Sequence, residues 1–116
     1  IAPEDPTVKF VNLTPHEIFV IGGGAVVFRF PPDGRVARLP SIDKPDGAVG
    51  GIPFVRTTYS EPDGIPDPEP DTVYLVSALV AQRAGRSDVF APDTGPASVV
   101  RDAAGKIIGV RRLLRY

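Results

Sequence analysis

Frequent proline and glycine constrain this chain more than any other sequence feature. The 116 residues include 14 prolines and 12 glycines, and both residue types interrupt helices and recur in turns. The apolar runs between them are short and rich in β-branched and aromatic residues, which favours strands over helices. The spacing therefore excludes a long helix, and the length predicts a single domain over residues 1–116.

The first half of the chain predicts a series of strands. VKFVNL (8–13) and EIFVIG (17–22) have strand composition, and the second is apolar on both faces, as in the centre of a sheet. AVVFRF (25–30) and RVARLP (35–40) flank PPDG, which predicts a hairpin between them. KPDGAVGGIP (44–53) has little side-chain content, so we expect a loop there.

The second half predicts a strand, an exposed loop, a helix and a hairpin. FVRTTY (54–59) alternates like a strand, and residues 60–71 carry four prolines and five acids, typical of an exposed loop. The segment from 72 begins as a strand and becomes helical at Ser77, with Gly85 as the stop. SVVRD (98–102) and KIIGVRRLL (106–114) enclose AAG, and we expect Gly105 to have a positive φ.

Together these elements predict an α+β fold, predominantly antiparallel, as a mixed sheet or a half-open barrel. It carries one short helix near residues 77–85. Residues 1–7 are expected to form a flexible N-terminal arm, and the proline-rich loops with only two Asn or Gln residues are typical of thermostable proteins.

Charge and cysteine content narrow the classes of function. The net charge is -1, with +4 on residues 83–116 and -5 on residues 1–82, which argues against nucleic acid or a membrane surface as the main partner. The basic end GVRRLLRY (109–116) fits a charged edge strand better than a nucleic-acid tail. The chain has no cysteine, so thiolate metal sites are excluded. We expect no metal, no cofactor and a cytoplasmic location.

Three separated blocks of the sequence resemble a family of small bacterial and phage proteins. They are KFVNLTPHEIFVI, PFVRTTYSEPDGIPDPEPDTVYLVSALVAQ and VVRDAAGKIIGVRRL, which together span roughly residues 8–113. That family has no assigned activity. The resemblance implies a bacterial or phage setting and assigns no catalytic residue.

The candidate catalytic residues are His16, Glu17 and Asp93. His16 is the only histidine, and a general base needs a carboxylate or hydroxyl partner within hydrogen-bond reach. Its neighbours in TPHE also fit a capped tight turn. Asp93 lies in Asp-Thr-Gly, the triplet of aspartic proteases, but only about a dozen residues separate it from Ile107, too few for that fold. Asp93 more naturally closes a loop by Asx hydrogen bonds.

Two further motifs are candidates for binding an anion, GGG and the strand that contains Arg56. GGG (22–24) lacks both the GxGxxG and the GK[ST] pattern, so it predicts a hairpin connection rather than a phosphate cradle. On an extended strand Arg56, Thr58 and Ser60 share one face and together could hold a phosphate or carboxylate. The alternative is an ordinary solvent-facing strand surface.

Three hypotheses of function remain open. The favoured one is a non-catalytic interaction protein that self-associates or binds a protein partner through its acidic proline-rich loop and the adjacent sheet face. The second is a binder of a nucleotide or another small anion, which requires Arg56 to lie in a concave site without a compensating carboxylate. The third is a small hydrolase or transferase, which requires His16 to lie in a cleft beside a suitable partner.

Overall fold

A computed structural model describes residues 8–116 of the chain, and the predicted N-terminal arm over 1–7 lies outside the described residues. The described part contains ten strands and one helix. In chain order they are β1 (Lys9–Asn12), β2 (Ile18–Gly22), β3 (Ala25–Phe30), β4 (Ser41–Val49), β5 (Ile52–Tyr59), β6 (Thr72–Leu75), α1 (Ala78–Ala84), β7 (Val89–Pro92), β8 (Val99–Arg101), β9 (Ile107–Val110) and β10 (Leu113–Leu114).

The strands form two four-stranded sheets and a separate two-stranded hairpin. Sheet 1 has the order β1-β6-β7-β10, and sheet 2 has the order β3-β2-β9-β8. Strands β4 and β5 pair with each other alone. The predicted α+β class with one short helix is confirmed, and no sheet of the described residues closes into a barrel.

Sheet 1 contains the most deeply buried strand of the molecule. All four residues of β6 are buried, and it pairs in parallel with β1 on one side and β7 on the other. Helix α1 is the crossover between β6 and β7, which is the usual way to join parallel neighbours. Val80 and Ala81 of α1 pack into the core beside Tyr74 and Val89. Burial of this apolar surface is the main source of stability.

The helix has the predicted bounds. Ser77 has an extended backbone at the N-cap, although its hydroxyl makes no capping hydrogen bond. Gly85 adopts the left-handed conformation with φ of 58°, and its N–H donates to the Ala81 carbonyl oxygen. A left-handed glycine is the common helix stop because it lacks a Cβ.

Sheet 2 consists of two hairpins joined side by side. The glycines after β2 form the predicted connection to β3, with positive φ at Gly23 and Gly24. The β8–β9 hairpin is also confirmed, and Gly105 has a φ of 84°. The predicted strand over 106–114 is wrong in its extent, because it divides into β9 in sheet 2 and β10 in sheet 1. β2 pairs in parallel with β9, so β2 lies inside the sheet as predicted.

The predicted strand over 35–40 is wrong. Instead of returning along β3, the chain after Gly34 crosses the end of sheet 1, where Ala37 N–H donates to the Leu13 carbonyl oxygen. Arg38 makes an isolated bridge to Asp63 of the 60–71 segment. β3 already has its antiparallel partner in β2. The buried methyl group of Ala37 packs into the core instead. A tertiary contact therefore determines the path of the backbone over 35–40.

The predicted loop over 44–53 is also wrong, because residues 41–49 form β4. It pairs with β5 over almost its full length, with a bulge between Pro45 and Gly47. Gly47 has a φ of 127°, a value that glycine tolerates and other residues rarely adopt. The bulge therefore allows a segment with proline and glycine, whose composition is typical of a loop, to form a strand. We call the hairpin formed by residues 41–59 the arm.

The arm changes the shape of the molecule. The radius of gyration is 16.9 Å, whereas a compact chain of this length has about 13 Å. Every residue from 41 to 59 is exposed. The acidic segment 60–71 follows the arm directly, contains no strand or helix and is mostly exposed. Within residues 8–116, no helix is long and apolar enough to cross a membrane.

Candidate functional site

Asn12 organises the turn that contains His16. Its side chain is almost fully buried, and its amide nitrogen donates to the carbonyl oxygens of His16 and Phe30, each at 2.8 Å. Its amide oxygen accepts the Thr14 N–H at 3.0 Å and lies 2.7 Å from the Thr14 hydroxyl. TPHE is therefore a bend closed by Asn12, with no helical turn.

The His16 imidazole itself is exposed. Within the described residues its ring makes no hydrogen bond, and only its backbone carbonyl is engaged, with Asn12 and Thr14. The neighbouring Glu17 carboxylate lies 3.8 Å from Arg29. His16 thus lacks the ordered partner that the catalytic hypothesis requires.

Asp93 is committed to a structural network. Its carboxylate accepts the Gly95 N–H at 2.9 Å and the Arg112 Nε–H at 2.6 Å, and the residue is buried. The hydrogen bond from Arg112, aided by that from Gly95, lowers the pKa of Asp93. Asp93 closes the 93–95 turn by an Asx hydrogen bond, as the loop interpretation predicts.

The three catalytic candidates do not converge on one site. His16 and Glu17 line a groove between one face of sheet 2 and the segment from Val76 to Ala78 at the start of α1, together with Thr94, whereas Asp93 is not among its lining residues. We call this cavity the outer groove; its volume is about 790 Å³. Its apolar lining includes Phe19, Ile21, Val26, Ile107 and Ile108. Three of these side chains, at 26, 107 and 108, are exposed.

Two residues of the predicted anion site, Arg56 and Thr58, lie on the arm, and Ser60 follows it directly. Arg56 and Thr58 share a strand face, because residues two apart on a strand point to the same side. The Arg56 guanidinium contacts the Asp46 carboxylate at 3.1 and 3.2 Å. A carboxylate therefore compensates Arg56, which opposes the condition set by the anion-binding hypothesis. The hydroxyls of Thr58 and Ser60 lie 3.4 Å from carbonyl oxygens of the adjacent strand segment.

The most unusual surface of the arm is its exposed apolar set. Six of the twelve large hydrophobic side chains that are exposed in the described residues belong to it, including Ile52 at 67% and Val49 at 66%. The others are Ile42, Phe54, Val55 and Tyr59. Val49, Ile52 and Phe54 share one face at the tip of the arm, whereas Val55 and Tyr59 point to the other face. A contiguous exposed apolar patch of this kind marks an interaction surface.

Sequence reasoning missed the arm although one local pattern indicated it. Val49 and Ile52 flank Gly50 and Gly51, and a two-glycine connection between apolar residues is a strong hairpin pattern. Both glycines have positive φ, 56° and 81°. The nearby Pro45 and Gly47 concealed the first strand, because both residue types are depleted in strands.

Residues 8–116 hold no cluster of three or more His, Asp or Glu side chains suited to a metal ion. Comparisons with protein-family models, curated proteins and solved structures find no match to the chain. The candidate site is the arm together with the outer groove.

Proposed function

We propose that this chain is a non-catalytic interaction protein that assembles with a second copy of itself through the arm. The apolar tip of each arm, formed by Val49, Ile52 and Phe54, packs into the outer groove of the other copy. The observation that carries the proposal is the concentration of exposed apolar side chains on a hairpin that leaves the body of the molecule.

The geometry of the tip favours one contact face. Val49 pairs with Ile52, and Gly47 pairs with Phe54. Directly paired residues of an antiparallel ladder point to the same side, so the three apolar side chains share a face. Because Gly47 has no side chain, the Phe54 ring covers its position, and its ring atoms lie 3.4 to 3.5 Å from where a Cβ would be. The tip is thus an apolar wedge.

The charge of the arm favours a protein surface over a polyanion. Its four charged residues are Asp43, Lys44, Asp46 and Arg56, so the arm has no net charge. A neutral apolar hairpin has no electrostatic attraction to nucleic acid, whose binding depends on a basic surplus. Protein interfaces, by contrast, have cores that are depleted of charge and enriched in aromatic residues.

The second copy is favoured by apolar complementarity and by area. The outer groove offers Val26, Ile107 and Ile108 as exposed apolar side chains, which match the chemistry of the tip. The three apolar side chains of one tip expose on the order of 300 Å². Reciprocal exchange of two arms, counting both tips and the groove surface that they cover, would then bury roughly 1,200 Å², the size at which specific interfaces begin.

Charge insertion at the tip tests this proposal. We expect the unmodified chain to run as a dimer in size-exclusion chromatography with light scattering, and Ile52→Glu with Phe54→Glu to convert it to a monomer. The matched control is Tyr116→Glu, since Tyr116 is 48% exposed and neither it nor the preceding residue belongs to the arm or lines the outer groove. This control should stay dimeric. A monomeric unmodified chain at about 100 μM, or a dimer that survives both tip substitutions, would overturn the proposal.

A further inference from the structure

A second groove lies on the opposite face of sheet 2, where that sheet meets sheet 1. Val20 and Phe28 form a register pair on this face, whereas the adjacent pair of Phe19 and Arg29 points to the other side. The groove has a volume of about 600 Å³, within the range of small-molecule sites. We call it the basic groove.

Aromatic rings form one wall of the basic groove. The centroids of Phe10 and Phe30 are 4.7 Å apart, and those of Phe28 and Phe30 are 6.0 Å apart with nearly parallel planes. All three rings line the groove and are only half-buried. Together with Phe90, which is also half-buried, they provide a partly exposed π surface on which a planar heterocycle can stack.

Three arginines provide the other chemical feature. Arg111, Arg112 and Arg115 line the groove and are exposed, and its described lining includes no carboxylate. Asp93 binds Arg112 through Nε, which fixes that guanidinium and leaves the N–H groups of its two terminal nitrogens. Arg115 lies over the Phe90 ring at 5.7 Å. The three arginines and Asp93 leave a local charge of +2.

Ser98 holds the backbone from which two of these arginines extend. It is fully buried, and its hydroxyl oxygen accepts the N–H groups of Arg111 and Arg112 at 3.0 and 3.2 Å. The Arg111 side chain also donates to the Val99 carbonyl oxygen at 3.2 Å. The backbone positions of Arg111 and Arg112 are thus fixed by hydrogen bonds to a buried residue.

We infer that the basic groove binds a nucleoside phosphate, with the base stacked on the Phe10, Phe28 and Phe30 rings and the phosphate beside Arg112 and Arg115. Stacking surface and guanidinium groups in one groove match the two halves of such a ligand. The ligand has two sources, a free nucleotide or a single-stranded nucleic acid. The site is distinct from the arm and from Arg56, so it does not depend on the proposed self-association.

Titration with two probes tests this inference. We would measure binding of ATP by calorimetry and of a fluorescent oligothymidylate of about 12 nucleotides by anisotropy. Arg115→Ala should weaken binding about tenfold or more, as loss of a charged hydrogen bond does. Phe28→Leu, which keeps an apolar side chain without a π face, should weaken it about fivefold or more.

The control is Arg83→Ala, an exposed arginine on α1 outside the groove, and it should bind like the unmodified chain. Melting curves of all variants verify that each is folded. Tighter binding of ATP identifies a free nucleotide as the ligand, and tighter binding of the oligonucleotide identifies a single strand. Absence of binding for both probes up to about 1 mM, or equal affinity of the Arg115 and Arg83 variants, would overturn the inference.

Discussion

Replacement of Asn12 by aspartate should destabilise the fold more than any surface substitution. Asn12→Asp keeps the shape of the side chain, but it removes the two N–H groups that bond to the carbonyl oxygens of His16 and Phe30. A carboxylate oxygen would then face two carbonyl oxygens at about the same distance. The amide oxygen contacts with Thr14 remain available to the new side chain.

The magnitude follows from the bonds that are lost. Two hydrogen bonds are worth about 2 kcal/mol, and placing an acceptor against buried acceptors adds about 1 to 2 kcal/mol. A loss of roughly 3 to 4 kcal/mol is a large share of the ~5 to 15 kcal/mol that stabilises a typical domain. For a chain of this length it corresponds to a fall in melting temperature of roughly 10 to 20 °C.

Thermal unfolding followed by circular dichroism measures the effect, with Asp102→Asn as the control. Asp102 also closes a turn, by accepting the N–H groups of Ala104 and Lys106, but it is exposed. Asp102→Asn should therefore lower the free energy of unfolding by about 1 kcal/mol or less. The loss of stability caused by Asn12→Asp should become smaller as the pH falls below about 5, because a protonated carboxyl can donate a hydrogen bond again. A melting temperature within about 3 °C of the unmodified protein at pH 7 would refute the role assigned to Asn12.

Two further predictions concern packing and pH. Gly109→Ala places a Cβ 2.7 Å from the Ile21 Cδ1 atom and 2.8 Å from the Phe19 carbonyl oxygen, and should cost about 1 to 3 kcal/mol in chemical denaturation. Gly22→Ala, where the Val27 methyl lies 3.1 Å away, should cost less; equal losses would contradict this account. The lowered pKa of Asp93 means that its contribution to stability is present above about pH 4 and is lost as the pH falls below that value. Asp93→Asn should therefore flatten the decline of the melting temperature between about pH 5 and pH 3, and an unchanged decline would contradict it.

The elements predicted correctly are those specified by local sequence. The glycines after β2, the left-handed Gly85 and the turn glycine Gly105 each fix a connection, since few other residues adopt positive φ. A tight connection brings the two apolar segments that flank it side by side, so they pair with each other. This explains why the β2–β3 and β8–β9 hairpins and α1 could be predicted without tertiary information.

The features that were missed depend on contacts between distant residues. The parallel pairing of β1 with β6 joins segments about sixty residues apart, and no local pattern specifies it. Segment 35–40 has strand composition, yet the core contact of Ala37 and the bridge of Arg38 to Asp63 determine its path. Asn12 and Ser98 were overlooked because their importance comes from burial rather than from a motif.

The candidate site was only partly accessible to sequence reasoning. The strand with Arg56 and Thr58 was predicted, but its partner Asp46 was assigned to a loop, so the ion pair that compensates Arg56 could not be foreseen. His16 was predicted to lie in a turn, and its interpretation as a turn residue agrees with its exposed ring. The exposed apolar residues of the arm become visible only when β4 and β5 are seen to pair away from the core.

Crosslinking between copies tests the central claim most directly. Because the chain has no native cysteine, only the introduced cysteines can form disulfides. Single-cysteine variants Ile52→Cys at the arm tip and Ile107→Cys in the outer groove would be mixed under mild oxidation. The account predicts a mixed disulfide dimer between them in much higher yield than between Ile52→Cys and Tyr116→Cys, since Tyr116 is exposed and lies away from the lining of the groove. Equal yields for the two mixtures would contradict packing of the arm into the outer groove of a second copy.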